Sequence, residues 1–276
     1  MPETVQVGSA TIVHLSDTER PYPAREVYPE VADAAWNEYR QALTADGSIV
    51  LNFGCYLVIA DGRTVLVDTG WGPTYEGRLL DELAAAQVSP QQIDAVVCTH
   101  LHGDHIGWNV VEEGGASRPR FPRARYLLPE ADWNHYTTQP EPSALIRTQV
   151  LPLESLGVMD LVNGEYTLSP SVTIVPTPGH TPGHQSVAIL SGGAHGFILG
   201  DVAVSPVEAH ETDWKNRFDW DSALAGRTRH AVLDRLERSA ALVGASHFPK
   251  PGLGRFVREG GRRRWVDIDA GTPGHG

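Results

Sequence analysis

Residues Ile93-Asp-Ala-Val-Val-Cys-Thr-His-Leu-His-Gly-Asp-His-Ile-Gly107 decide how the rest of the chain is read. The apolar run Ala95–Thr99 predicts a strand that leads straight into His100, His102, Asp104 and His105. Four side chains able to hold a metal thus stand within six positions. Alternation along an extended chain would put His100 and His102 on one face. Gly103 then permits a turn, so that Asp104 and His105 approach from another direction. That pattern suits two adjacent divalent metals better than one. Imidazole and carboxylate donors suit zinc first, with manganese, iron, cobalt or nickel also accommodated. Packing so many ionisable groups together is costly unless they are paired or metallated.

Working outward, other candidate donors also stand where strands run out. The strand predicted at Val172–Pro176 leads into Pro176-Thr-Pro-Gly-His-Thr-Pro-Gly-His184, whose two Pro-Gly steps make a rigid turn presenting His180 and His184. Leu199-Gly-Asp201 ends another strand with an acid, and Ala245-Ser-His-Phe-Pro249 ends a third with His247. Upstream, Asp68 in Val65-Leu-Val-Asp-Thr-Gly70 has the same placement. Each is weak alone, and together with the cluster they are strong.

Taken in order, Asp68-Thr-Gly, His100-Leu-His-Gly-Asp-His105, Gly179-His180, Gly200-Asp201 and Ser246-His247 resemble the metallo-β-lactamase superfamily over about residues 48 to 268. The resemblance implies an α/β fold, an αββα sandwich with its metal site at one edge of the two sheets. It implies that His100, His102 and His180 hold one metal, that Asp104, His105 and His247 hold the other, and that Asp201 bridges them. Asp68 matches an acid that orients a ligand histidine, since ligating imidazoles usually donate their other N–H to an acceptor. His184 matches no ligand position and reads as a buried, hydrogen-bonded support. The full set of five histidines and two aspartates resembles the dinuclear lactonase and methyl-parathion-hydrolase-like branch. Lactonases of that branch usually carry a tyrosine three residues after the bridging aspartate, where this chain has Val204.

The expected activity is therefore that of a zinc-dependent hydrolase of lactones, aryl esters or phosphotriesters. A hydroxide shared by the metals would attack, with Asp104 orienting it and passing a proton to the leaving group. A glyoxalase-II-like thioesterase is the alternative, and a β-lactam hydrolase or a non-catalytic binding protein fits less well. Phe53, Trp71, Trp108 and Phe248 lie next to the motifs in sequence and are candidates for an apolar substrate pocket.

Composition narrows the partners. Lys+Arg 22 against Asp+Glu 34 gives a net charge of −12 over 276 residues, which argues against a nucleic-acid or anionic-membrane surface. The two cysteines, Cys55 and Cys98, are too few for a disulfide framework or a cysteine zinc site. No apolar run approaches the roughly 20 residues of a membrane span and no targeting segment is visible, so a cytoplasmic protein with a small-molecule substrate is expected.

Strands are expected at 5–14, 48–59, 64–68, 125–128, 186–190, 196–199, 242–246, 255–257 and 264–268, in largely antiparallel sheets. Helices are expected over 29–43, 75–86, 129–136 and 222–242. A single domain over 1–276 is expected, with an N-terminal insertion at about 17–47 and a Gly/Pro-rich stretch at 112–122. Both stretches read as surface loops or, more sharply, as a substrate lid or dimer arm, and the aromatic N-terminal one suggests a homodimer.

Overall fold

A computed structural model of the chain describes residues 2–268, so residue 1 and residues 269–276 of the expected domain lie outside it. Two seven-stranded sheets are stacked face to face. The first is built from β1 (Thr4–Val7), β2 (Ala10–Pro23), β3 (Ser48–Ala60), β4 (Arg63–Val67) and β5 (Ala95–Val97). A separate hairpin follows, β6 (Val110–Glu113) with β7 (Ala116–Pro119), before β8 (Arg125–Pro129) and β9 (Met159–Val162) complete that sheet. The second runs from β10 (Tyr166–Ser169) and β11 (Val172–Pro176) through β12 (Gln185–Ser191), β13 (Ala194–Ile198) and β14 (Leu242–Gly244) to β15 (Leu253–Glu259) and β16 (Arg262–Asp267).

The apolar runs are explained by burial on both faces. Along β3, Cys55 and Leu57 point outward to a layer containing helix Leu79–Ala85, while Tyr56 and Val58 point inward between the sheets. Val65 and Val67 of β4 also face inward and Leu66 outward. With no solvent face there is no polar alternation, as in strands covered on both sides. Outside the second sheet, Leu233 and Leu236 of helix Ser222–Arg238 pack on Phe197, Val243 and Phe256. Asp221 caps that helix by accepting from the N–H groups of Ala223 and Leu224. The layers are thus helix, sheet, sheet, helix. Among the described residues no helix is long and apolar enough to cross a membrane.

Several expectations need correction. The first sheet is not largely antiparallel, because β4, β5, β8 and β9 pair in parallel. Residues 5–14 form two strands joined at a tight turn. The expected helix over 75–86 is confined to Leu79–Ala85, and that over 29–43 is a 3-10 segment, Asp33–Ala42. The stretch 112–122 contributes a hairpin rather than a loop. The N-terminal stretch leaves the sheet only after Pro23, since β2 stays paired with β3 as far as Pro23 and Ser48.

A bulge in β2 between Ser16 and Thr18 frees Asp17 from the pleat. Its buried carboxylate accepts from the N–H groups of Trp71 and Leu79 and from Trp108 Nε1, at 2.8–2.9 Å. Three segments around the site are thereby tied to one strand. Gly107 lies against the same turn, and a Cβ there would overlap the Trp71 backbone. Gly107→Ala is expected to destabilise the fold by about 3 kcal/mol, the upper range for overpacking, because rigid backbone must move. Urea unfolding checks this, and a loss below about 1 kcal/mol would mean the turn yields easily.

Candidate metal centre

β5 ends at Val97, so His100 and His102 do not alternate along a strand as expected. They sit on a loop held by Asp68, at the end of the neighbouring β4. Asp68 Oδ1 accepts from the Thr99 N–H at 2.6 Å, and Oδ2 accepts from Thr99 Oγ1 at 2.8 Å. The chain then turns into the short helix Gly103–Ile106, which carries Asp104 and His105. His180 comes from the turn between β11 and β12. Its neighbour Gly179 has φ 136° and stands where a Cβ would overlap the Ala225 backbone. Asp201 follows β13, and His247 follows β14.

These loops bring all seven expected donors together. His100 Nε2 stands 3.0 Å from His102 Nδ1, and His180 Nε2 is 3.1 Å from the same atom. Asp104, His105 and His247 form a second group with donor atoms within 4.8 Å of one another. Asp201 lies between the groups. Its Oδ2 is 3.0 Å from His247 Nε2 and 3.3 Å from His180 Nε2, and its Oδ1 is 3.4 Å from His105 Nε2.

On each imidazole, the nitrogen turned away from the centre meets a fixed partner. His105 Nδ1 pairs with Asp68 Oδ2 at 2.8 Å, His180 Nδ1 with Asp219 Oδ1 at 3.0 Å, and His247 Nδ1 with the Asn52 carbonyl at 2.8 Å. His100 Nδ1 pairs with Thr99 Oγ1 and His102 Nε2 with Tyr136 Oη, both at 3.0 Å. Assigned from these partners, the outer nitrogen carries the proton and the inner one offers a lone pair.

Electrostatics keep His100 and His102 in that neutral form, whereas the carboxylates facing His105 and His247 favour a second proton there when no cation is bound. Burial, aided by neighbouring histidines, holds His100 well below the usual imidazole range and His102 down to about 3. Burial also pulls on His105, but the Asp201, Asp104 and Asp68 carboxylates outweigh it and raise it well above that range. Burial opposes ionisation of Asp104 and Asp201. The facing histidines prevail, bringing Asp104 to about 2 and Asp201 well below the carboxylate range. His105 Nε2 and Asp201 Oδ1 are buried without a hydrogen-bond partner. These two unpartnered polar atoms, 3.4 Å apart, are what a bound metal would satisfy. The donor set therefore fits two borderline cations.

His184 supports rather than joins the cluster. Its Nε2 accepts from the Asp201 N–H at 2.9 Å, and its Nδ1 is 2.8 Å from Thr177 Oγ1. Burial lowers it to about 3, which keeps Nε2 an acceptor.

A cavity of about 390 Å³ opens over the cluster, walled by Tyr22, Leu51, Phe53, Trp71, Val204, Arg217 and Phe218. Phe53 and Trp71 lie where a pocket role needs them. Trp108 and Phe248 do not. The indole of Trp108 turns away to donate to Asp17 and packs in the outer layer of the first sheet. Phe248 is sandwiched with Phe256 and Trp265 behind the second sheet. Adjacency in sequence did not give side-chain direction in either case. The N-terminal stretch supplies Tyr22 to the wall, while Tyr28, Trp36 and Tyr39 pack edge-on against Trp214.

Sequence reasoning missed Asp132, Tyr136 and Asp219. Asp132 and Tyr136 lie one turn apart on helix Glu130–Thr137, a predicted element with no motif to mark them. Asp219 was hidden in an irregular segment before a helix cap. Tyr136→Phe is expected to weaken zinc retention about tenfold by freeing the His102 ring, the lower range for losing such a partner. Competition with a chromogenic chelator checks it, and unchanged retention would remove Tyr136 from the site.

The chain belongs to the metallo-beta-lactamase superfamily, whose family model matches residues 55–247. It is 27% identical over 223 residues to an N-acyl homoserine lactonase of Bacillus sp, covering 73% of this chain and 80% of the relative. Its fold matches AidC, a dizinc quorum-quenching lactonase solved with an N-acyl homoserine product, at TM-score 0.83 and 22% identity over 97% of both chains. It also matches the hydrolase AbOPH at TM-score 0.83 and 21% identity over 98% of both.

Proposed function

We propose that this protein is a dinuclear metal-dependent hydrolase that opens lactones, with simple and aryl esters as related substrates. The observation that carries the reading is the convergence of five histidines and two aspartates beneath an apolar cavity. His100, His102 and His180 would hold one zinc ion, Asp104, His105 and His247 the other, and Asp201 both. Bound there, the pair supplies Lewis acidity for a carbonyl and makes hydroxide available at neutral pH. The homoserine lactonase relatives favour lactones as the substrate class.

The protein's own groups do the rest. Fixed outer hydrogen bonds hold the imidazoles in the tautomer that binds metal. Asp104 is partly exposed at the cavity floor and ionised, so it can take a proton from attacking water and return it to the leaving oxygen. Phe53, Trp71, Leu51, Val204 and Phe218 exclude water and seat an acyl or aryl group. Tyr22 and Arg217 are donors on that wall able to orient a polar substrate group. We read the N-terminal stretch as part of one domain: Tyr22 at its start lines this wall, and Tyr28, Trp36 and Tyr39 pack on Trp214.

The test is a zinc-supplemented panel of γ- and δ-lactones of graded chain length, p-nitrophenyl esters, a phosphotriester, a thioester and a cephalosporin. Lactone hydrolysis that is abolished by a chelator and restored by zinc is expected. Preferred turnover of the thioester or the cephalosporin would overturn the reading.

A further inference from the structure

Behind the cavity wall lies a buried guanidinium that the reaction itself does not use. Arg229, on helix Ser222–Arg238, is 1% exposed. Its guanidinium makes four hydrogen bonds and two ion pairs, to five acceptor atoms in all. Nε donates to the Val202 carbonyl at 2.8 Å, and Nη1 donates to the carbonyls of Trp214 at 2.7 Å and Thr212 at 3.2 Å. Nη2 reaches Asp219 Oδ2 at 3.3 Å and Glu208 Oε1 at 3.2 Å. A guanidinium has five N–H donors in a fixed fork; here four are hydrogen-bonded, and Nη2 is also ion-paired with Glu208.

The acceptors belong to different parts of the site. Asp219, with its other oxygen, holds His180 Nδ1 at 3.0 Å. Val202 is next to Asp201. Glu208, with its other oxygen, accepts from the Val204 N–H at 2.6 Å, and Glu208 Oε1 also accepts from Asn216 Nδ2 at 3.2 Å. Val204 is cavity wall, and Asn216 precedes the wall residues Arg217 and Phe218. Trp214 carries the aromatic packing of the N-terminal stretch.

We infer that Arg229 is a positioning residue that sets the metal-facing side of the site, through Asp219 and His180, and the substrate wall, through Glu208 and Val204, as one unit. The two carboxylates divide the task. Asp219 serves the metal side and Glu208 the wall, and the guanidinium fixes the distance between them. A lysine keeps the charge but has three donors at one point, so at least two buried acceptors lose their partner. Breaking one member of a buried ionic group leaves the others uncompensated, which is why the effect spreads beyond the contact removed.

The inference rests on the metal-hydrolase reading only in its kinetic arm. The experiment compares Arg229→Lys, Asp219→Asn and Glu208→Gln in the zinc-loaded protein. It reads zinc release to a chelator, thermal midpoint, and KM and kcat on a p-nitrophenyl ester. Asp219→Asn is expected to speed zinc release about tenfold, as for loss of a partner to a ligating histidine, with KM within twofold. Glu208→Gln is expected to raise KM severalfold while zinc release stays within twofold. Arg229→Lys is expected to do both. A merely structural role would lower the three midpoints without that division.

Arg229→Lys with zinc release and KM both within twofold of the parent overturns the inference. So does fast zinc release in Glu208→Gln equal to that in Asp219→Asn. If Arg229→Lys does not fold, the contrast between the two carboxylate variants decides. If the ester is not turned over, KM and kcat are read on a lactone; if neither is turned over, the hydrolase reading fails, while the chelator arm still tests the division of labour.

Discussion

Asp201→Asn is expected to bind no more than one tightly held zinc per chain and to lose about 1000-fold in lactone hydrolysis. Asp201 is buried, ionised and central, with Oδ2 3.0 Å from His247 Nε2 and 3.3 Å from His180 Nε2, and Oδ1 3.4 Å from His105 Nε2. Oδ1 has no protein hydrogen-bond partner, so its place in the structure is not set by a protein donor. An asparagine of the same shape offers one oxygen, no charge, and an NH2 group turned toward imidazole lone pairs. Metal polarisation contributes several kcal/mol to such a transition state, and about 4 kcal/mol is a factor of about 1000. Elemental analysis after dialysis against a weak chelator reads the metal count. Two tightly held ions in the variant would remove Asp201 from the bridging position. Because the side chain is nearly isosteric, the far-ultraviolet circular dichroism of the variant should match the parent.

The second large effect concerns a residue that touches no candidate donor atom. Asp132→Ala is expected to destabilise the metal-free protein by about 4 kcal/mol and to weaken zinc retention as well. Asp132 is fully buried. Its Oδ1 accepts from the Gly183 N–H at 2.6 Å, and its Oδ2 accepts from the Leu101 N–H at 3.1 Å and from Thr181 Oγ1 at 2.8 Å. It therefore ties the loop bearing His100 and His102 to the turn bearing His180. Alanine strands three buried donors, each worth about 1–3 kcal/mol when left unpaired. Burial raises the pKa of Asp132, although its three hydrogen-bond donors pull it down. Asp132→Asn keeps the shape but must turn its NH2 toward a donor on one side, so it is expected to lose part of the same stability. Urea midpoints of the metal-free proteins give the comparison. A loss under about 1 kcal/mol for Asp132→Ala would mean that the loops are held by other contacts.

The contrast between these two residues shows what was legible in the sequence. Asp201 could be found because it ends an apolar strand and falls into an ordered set with His100, His102, Asp104, His105, His180 and His247. Strand ends were readable because both faces of β3, β4 and β13 are buried, so their apolar runs stop abruptly where the loops begin. Asp132, Tyr136 and Asp219 had no comparable signal. Each acts across the fold on a residue far away in the chain, and nothing local distinguishes them from solvated polar residues. Trp108 and Phe248 were misread for the complementary reason, that a neighbour in sequence to a ligand faces the opposite way. The helical stretch Ile146–Ser155 was missed because Pro152 reads as a breaker, yet it sits at the start of its last segment, where proline is tolerated. β9 was missed because it is short and carries Asp160 at an exposed edge.

The seam between the sheets has a temporal meaning as well as a spatial one. Four donors lie within residues 100–105, and the remaining three arrive at 180, 201 and 247. During synthesis the first sheet emerges with an incomplete grip, and no full coordination sphere exists until β14 has joined the second sheet. Capture of ions by the proposed ligands would thus report that both halves have docked. It also acts as a latch, since a cation held only by the finished fold adds RT ln(1 + [M]/Kd) to its stability, about 4 kcal/mol at a thousandfold excess over Kd. A cell poor in the metal would then hold a smaller standing pool of this protein, not merely a slower one.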